Sequence, residues 1–303
     1  MPHSPSLVSV GELLWDLFPD GPRLGGAPAN LAFHAHSLGA QSHLVSAIGS
    51  DPRGDQALQS LATRGLDLSL VHRHPHLPTG TVRVTPTPDG HHHFQIVENV
   101  AWDHIPISDS ILQQVASCDV FCFGTLAQRT PRGRDLIHQL LRACPPTALR
   151  VFDINLRAPF HSSAVIADSL AHCDLLKLNE DELPVLAAQF DLSGSSQLQL
   201  EALSSRSNIP TIALTLGAQG SQLLHHGRWT SEPGRTLSSQ VDTVGAGDSF
   251  TAALIMGLLR GWPDSLILDR ATDIAAYVCT QPGATPDLPP ALVAPFLAAI
   301  QNP

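Results

Sequence analysis

Lysine is all but missing from this sequence. Of its 17 basic residues only Lys177 is lysine; the rest are arginine. Charged residues make up just 15% of the chain, against 43% hydrophobic ones. So little charge cannot hold 303 residues in a disordered state, and a sizeable core is expected. Acidic residues are in excess, for a net charge of −10, so no general affinity for nucleic acid or an anionic membrane is expected. Cysteine is scarce and odd in number: Cys118, Cys122, Cys144, Cys173 and Cys279, with no C-x-x-C pair. This usage points to buried, reduced thiols rather than a disulfide framework. Long apolar runs are also missing. Nothing approaches the ~20 residues of a membrane span, and the first residues lack a leader's basic and apolar regions. A cytoplasmic protein is expected.

What is present is an alternation. Short, nearly continuous apolar runs at 6–11, 42–48, 119–123, 149–154, 174–178 and 210–216 read as strands covered on both faces. Between them, 28–39, 52–63, 131–143, 163–171, 180–188 and 197–206 carry helical patterning, and beyond 246 the chain reads as mainly helical. That rhythm predicts an α/β fold with a doubly wound, mostly parallel sheet. Two stretches break it. Residues 12–24 are irregular, and 79–100 alternate polar with apolar on either side of Pro88-Asp89-Gly90, as in an antiparallel hairpin. A hairpin cannot easily join a parallel sheet, so these two segments are predicted to form a small accessory sheet or lid. No repeat, low-complexity linker or charge run marks a boundary, so 1–303 reads as a single domain.

The most informative segment is Asp242-Thr243-Val244-Gly245-Ala246-Gly247-Asp248-Ser249-Phe250. Glycines at a helix entry let successive amides point at one spot, and the helix dipole adds positive potential there. Gly245, Ala246 and Gly247 thus form a candidate anion hole. Asp248 beside it is suited to accept a proton from a hydroxyl that attacks phosphorus. The plainer alternative is that Asp248 or Ser249 caps the helix. The Lys-containing phosphate loop G-x-x-x-x-G-K-[ST] is missing. In Gly25-Gly26-Ala27-Pro28-Ala29-Asn30 the glycines admit a ligand close to the backbone, Pro28 suits a first helical turn, and Asn30 offers donor and acceptor to a sugar hydroxyl. Asp16, just upstream, is able to accept two hydroxyl hydrogen bonds. The alternative is an ordinary turn into a helix.

Asp153-Ile154-Asn155-Leu156-Arg157 closes a strand at its carboxyl end, where open α/β sheets bind ligands. Asn179-Glu180-Asp181-Glu182 also follows a strand and reads either as a ligand element or as a helix cap with acidic first-turn residues. Thr215-Leu216-Gly217-Ala218-Gln219-Gly220-Ser221 reads as a glycine hairpin into a strand at 221–225. Lys177 stands at a strand end, where a phosphate contact is one reading and a solvated or paired lysine the other. The histidine groups His91-His92-His93 and His72, His74 and His76 point to solvent rather than to a metal. Trp102 reads either as closing over a ligand or as core.

Together the segments around Asp248 and Asn30 resemble the ribokinase-like (PfkB-type) family of sugar kinases, from Val10-Gly11-Glu12 to Gly283-Ala284. Gly25-Gly26-Ala27-Pro28-Ala29-Asn30 is similar to the fructokinase version, where ribokinases usually carry Lys at the Ala27 position. The resemblance implies the ribokinase-like fold with its lid, ATP and Mg²⁺ as cofactors, and Asp248 as catalytic base over the 245–247 anion hole. It implies that Arg157 faces the transferring phosphoryl group or the acceptor, in an element shared with ketodeoxygluconate kinases. Asp16, Gly25, Gly26 and Asn30 would hold the sugar. Lys177, Thr215, Gly217 and Gly220 would serve the nucleotide, and Asn179 and Glu182 hydrated Mg²⁺. Asp242, Val244, Val278 and Gly283 fall where the family can hold a monovalent cation such as K⁺, and two subunits would pair through their lids as a homodimer. One departure matters: ribokinases offer their sugar a glutamate after the strand at 119–123, and Gly124-Thr125-Leu126-Ala127-Gln128-Arg129 has none. The expected activity is ATP-dependent phosphorylation of a neutral sugar, fructose first. The alternatives are 2-keto-3-deoxygluconate and, in another class, a catalytically silent kinase-like binding module.

Overall fold

The computed structural model describes residues 4–86, 92–237 and 241–298. In chain order the first half holds β1 (Ser6–Val10), β2 (Leu14–Phe18), β3 (Gly21–Gly25), α1 (Ala27–Ser37), β4 (Gln41–Gly49), α2 (Pro52–Ala62), β5 (Val71–His74), β6 (Gly80–Pro86), β7 (His92–Ile96), α3 (Asp109–Val115), β8 (Val120–Gly124) and α4 (Pro131–Ala143). There follow β9 (Leu149–Asp153), α5 (Ser163–Leu170), β10 (Leu175–Asn179), α6 (Leu183–Phe190), α7 (Ser196–Ser207), β11 (Thr211–Thr215), β12 (Gly220–His225), β13 (Arg228–Pro233), α8 (Ala246–Leu259), α9 (Asp264–Cys279) and α10 (Pro290–Leu297).

Nine strands form the main sheet in the order β13-β12-β11-β10-β9-β8-β1-β4-β5. Pairing is parallel from β11 to β5 and antiparallel only in β11-β12-β13. Successive strand residues face opposite cores. Leu7, Val120 and Cys122 pack under α1, α8, α9 and α10, while Val8, Phe121 and Phe123 pack under α3 to α7. Burial on both faces is why these strands are nearly continuous in apolar character. The ribokinase-like, doubly wound fold is therefore as expected, and most element ends fall within two residues of the sequence reading.

Four differences have local causes. β5 (Val-His-Arg-His) and β13 (Arg-Trp-Thr-Ser-Glu-Pro) are too polar to read as strands, and the 7-residue α3 is too short to show a helical period. α6 begins at Leu183 rather than near 180, because 179–182 fold as the capping turn in front of it.

The second sheet, β3-β2-β6-β7, comes from the two stretches that broke the rhythm. β6 and β7 pair antiparallel, Val84 opposite Phe94, while β2 pairs parallel with β6. Leu14, Val82 and Val84 form its buried hydrophobic cluster, with Phe18 and Ile96 packed against them. The Pro88-Asp89-Gly90 turn lies outside the described residues. Trp102 is core: it is buried with Val100 and Leu126, under the Arg129 guanidinium at 3.9 Å. Arg129 in turn forms a buried bidentate pair with Asp103 at 2.7 Å. The five cysteines are free, and Cys118, Cys122 and Cys173 are buried. Among the described residues no helix is long and apolar enough to cross a membrane.

Candidate active site

The chain runs from β1 outward through β4 and β5, then returns to β8 on the other side of β1. Where the order reverses, at the carboxyl ends of β1 and β8, open α/β sheets leave a crevice. Here a cleft lies at that place, lined by Ser9, Glu12, Cys122, Asp153, Asn155 and Asp248 among others.

Two helices bring their N-termini to this cleft. α1 starts after Gly26, whose φ of 114° carries the chain over the Glu12 carbonyl, a contact that leaves no room for a Cβ. Pro28 occupies its first turn, as expected, and Ala27, Pro28 and Leu31 line the cleft. α8 starts after Gly245, at φ 81°. No side chain caps α8, and the Ser249 hydroxyl donates to the Ala246 carbonyl instead. The capping reading of Asp248 and Ser249 therefore fails. The Asp248 carboxylate is free to face the cleft, and it accepts a hydrogen bond from Asn30 Nδ2 at 2.8 Å. Burial, with Asp153 nearby, raises its pKa to about 6.

Glu12 lines the same cleft, whereas Asp16 does not line it and is linked to the site through Arg157. Glu12, just after β1, is buried, and desolvation pushes its carboxyl to about 7. Asp16 on β2 lies against Gly25 and is raised to about 6, again chiefly by burial. The Arg157 guanidinium attracts all three carboxylates. Arg157 is itself exposed, and Arg157 Nη1 donates only to the Leu156 carbonyl at 3.0 Å, so its other donors remain for a ligand.

Beneath the α8 N-terminus sits the lone lysine. Lys177 Nζ is buried 3.4 Å from Asp153 Oδ1, and a Cβ at Gly247 would lie 2.9 Å from it. Burial alone would lower its pKa, but Asp153, Glu182 and Asp248 outweigh it and the net shift is upward. Lys177 is thus an ammonium paired with a carboxylate and placed directly under the candidate anion hole. The second Asp153 oxygen accepts from Thr251 Oγ1 at 2.9 Å. Asn179 and Glu182 cap each other: Asn179 Oδ1 accepts from the Asp181 and Glu182 amides, and Glu182 Oε2 from the Asn179 amide at 2.8 Å. Glu182 Oε1 accepts from the Leu156 amide at 2.8 Å, so this carboxylate also ties β10 to the Arg157 loop.

Thr215, Gly217 and Gly220 fall in the β11–β12 hairpin, where Gly217–Gln219 form a single 3₁₀ turn at the carboxyl end of the sheet. Asp242 and Val278 come together where the Val241 and Asp242 amides donate to the Cys279 carbonyl at 2.9 and 3.3 Å. Val244 and Gly283 flank that junction in sequence, and the Val244 amide donates to Asp242 Oδ1 at 3.0 Å. Arg23 from β3 reaches Asp242 at 3.1 Å, joining the small sheet to the loop before α8. Of the histidines, His72, His76 and His93 are exposed, and His91 lies outside the described residues. Among the described residues no group of three His, Cys, Asp or Glu could hold a metal ion.

Sequence reasoning passed over Glu12 and Thr251. Glu12 carried a legible signal: a charged residue two steps past the buried strand β1, at the ligand-binding edge of the sheet. Thr251 had none, since its partner Asp153 is 98 residues away.

Comparison with known proteins agrees with this geometry. The sequence model of a family described as "pfkB family carbohydrate kinase" matches residues 21–291. The fructokinase of Klebsiella pneumoniae is 29% identical over 297 residues, covering 92% of this chain and 95% of that one. The fructokinase of Vibrio cholerae O395, solved in a fructose, ADP and calcium ion bound form, has a TM-score of 0.81 at 25% identity and covers 97% of this chain and 99% of that one. The fructokinase of Xylella fastidiosa with bound ATP reaches 0.83 at 20% identity, over 96% and 98% of the two chains, and attests the fold.

Proposed function

This chain belongs to the pfkB family of carbohydrate kinases and is an ATP-dependent carbohydrate kinase; we propose that its acceptor is a neutral sugar, fructose first, phosphorylated on a primary hydroxyl. One observation carries this choice. Glu12 and Asp248 line the site, Asp16 lies within the pull of the same Arg157, and burial raises the proton affinity of all three carboxylates. Carboxylates accept hydroxyl hydrogen bonds well but repel an anionic sugar. A sugar acid such as 2-keto-3-deoxygluconate would need Arg157 for its own carboxylate and for the phosphoryl group at once. In this reading Glu12 takes over the role of the glutamate missing after β8, because Gly124 and Glu12 line the same cleft.

Asp16, Gly25, Gly26 and Asn30 hold the sugar under the small sheet, which serves as an inserted lid of one kinase unit. Asp248 takes the hydroxyl proton as oxygen attacks phosphorus, and Asn30 fixes the orientation of its carboxylate. The amides of Gly245, Ala246 and Gly247, with Arg157 and the Lys177 ammonium behind them, stabilise the charge that develops on the phosphoryl oxygens. Thr215, Gly217 and Gly220 take the nucleotide at the β11–β12 turn. The donor set fits a hydrated Mg²⁺ rather than a bare one: both Glu182 oxygens already accept backbone hydrogen bonds and Asp153 is paired, so Asn179 and Glu182 would act through water. Bound with ATP, Mg²⁺ supplies neutralisation of phosphate charge. The carbonyls near Asp242, Val244, Val278 and Gly283 suit a monovalent cation such as K⁺. Two chains pair through their lids, where Phe94 is 51% exposed. The retained Asp248 and the glycines of 245–247 argue against a silent binding module, which has no need to keep them.

The test is ATP-dependent phosphorylation across fructose, other neutral hexoses, fructose 6-phosphate and 2-keto-3-deoxygluconate. The highest kcat/KM is expected on a neutral hexose. Higher efficiency on the sugar acid or the sugar phosphate would overturn the assignment, and no turnover with any of them would support the silent module.

A further inference from the structure

His34 has no place in the site described so far, yet it is wholly buried on α1, where its imidazole needs a reason to be. Its Nε2 donates to the Ala284 carbonyl at 2.9 Å, while Nδ1 has no hydrogen-bond partner. Burial lowers its pKa to about 4, so it is a neutral donor at any working pH. Ala284 is buried too, so its carbonyl needs a donor. The same carbonyl lies against Gly245, so closely that a Cβ on Gly245 would overlap it. Gly245 is the entry residue of α8, and its amide is the first of the candidate anion hole.

Spacing along α1 adds a second observation. Asn30 and His34 are one helical turn apart and share a face. Asn30 orients the Asp248 carboxylate, and His34 fixes the Ala284 segment behind Gly245. One helix face thus sets both halves of the phosphoryl-transfer machinery. Arg64, just after α2, reinforces the same segment: it stacks on Phe33 at 3.8 Å and reaches Thr285 at 3.2 Å and Asp287 at 2.6 Å.

We propose that His34 is a positioning residue, which holds the Ala284 carbonyl against Gly245 and so keeps the α8 N-terminal amides aimed at the transferring phosphoryl group. It touches neither sugar nor nucleotide. The inference rests on the reading of 245–247 as the anion hole. Its signature is a loss of turnover with little change in substrate binding, because misaimed amides weaken transition-state contacts more than ground-state ones.

The experiment compares wild type with His34→Phe, which keeps the ring volume but not the donor, and with His34→Gln, which keeps a donor. Misplacement of a catalytic group by a fraction of an ångström to 1 Å costs up to roughly 100-fold in rate. His34→Phe should therefore lower kcat roughly 10- to 100-fold, leave KM for sugar and ATP within about 2-fold, and speed amide exchange in 244–249 and 283–287. His34→Gln should recover most of the lost kcat and the lost protection. Should His34→Phe not fold, His34→Leu takes its place. Wild-type kcat and exchange in the donor-free variant would overturn the proposal, as would His34→Gln performing no better than it at equal melting temperature. If wild type itself phosphorylates no sugar, the functional reading fails, and the exchange comparison still decides whether His34 holds Gly245.

Discussion

Asp248 combines a buried carboxylate, one oriented hydrogen bond from Asn30 and a pKa of about 6. Asp248→Asn keeps the shape and loses the basicity, so turnover should fall by ~10²–10⁴ while sugar and ATP still bind. Turnover near wild type, measured by product formation, would remove the proton-accepting role. The base must be ionised to act, so kcat/KM should fall as pH drops below about 6. Glu12 and Asp16 ionise in the same range, so the acid limb belongs to the group of three. Glu12 allows a second test, on stability. Its folded pKa, about 7, lies above the 4.5 of a free glutamate side chain. The folded state therefore binds the proton more tightly than the unfolded chain. That stabilisation is full below 4.5 and is lost as pH rises to 7. Above 7 the ionised, buried group costs about 1–3 kcal/mol relative to a neutral one. Glu12→Gln should raise the melting temperature at pH 8, lose that advantage at pH 4, and raise KM for the sugar. An unchanged melting temperature at both pH values would show that Glu12 carries no such burden.

At the scale of elements the small sheet is the part with least support. It has four strands and, among the described residues, a hydrophobic cluster of only three buried side chains of its own, where the main sheet is covered on both faces. Such an element opens at lower free energy than the body. Asp16 lies on β2, so a sugar held by it adds contacts that exist only when the sheet is closed. Sugar should therefore slow amide exchange in 12–24 and in the described part of 79–100 more than in β1, β8 or β9. Equal protection everywhere would place the sugar elsewhere. Arg23→Ala removes the tie from β3 to Asp242 and should speed exchange in those segments before sugar is added.

At the scale of the whole molecule, closure has a chemical consequence. An ATP γ-phosphate beside an oriented base would lose its phosphoryl group to water unless water is excluded or the site is incomplete. ATP hydrolysis without sugar should be far slower than sugar phosphorylation, by initial rates at saturating ATP. Equal rates would mean that the small sheet is no lid. Phe94→Glu puts charge on the exposed face of β7 and should shift sedimentation toward a single chain without unfolding it.

Most of this architecture was legible in the residues because its causes are local. Continuous apolar runs specify strands buried on both faces, glycines at 25–26 and 245–247 specify turns into helices, and the break in rhythm at 12–24 and 79–100 marks the small sheet. The motif around Asp248 likewise carries its chemistry in consecutive residues. What needed the tertiary structure was every contact made across the sheet. Whether Asp248 caps α8 or faces the cleft depends on Asn30, 218 residues away. Whether Lys177 is solvated or buried depends on β9 and the start of α8. The place of Glu12 after β1 is legible, but only folding buries it beside Asp248, and His34 reads as one of 16 histidines until Ala284 arrives, 250 residues later, to lie between it and Gly245. Sequence determines what each segment can be, since turns and strands answer to neighbours a few residues away; the folded chain alone decides which charges lose their water and which side chains meet.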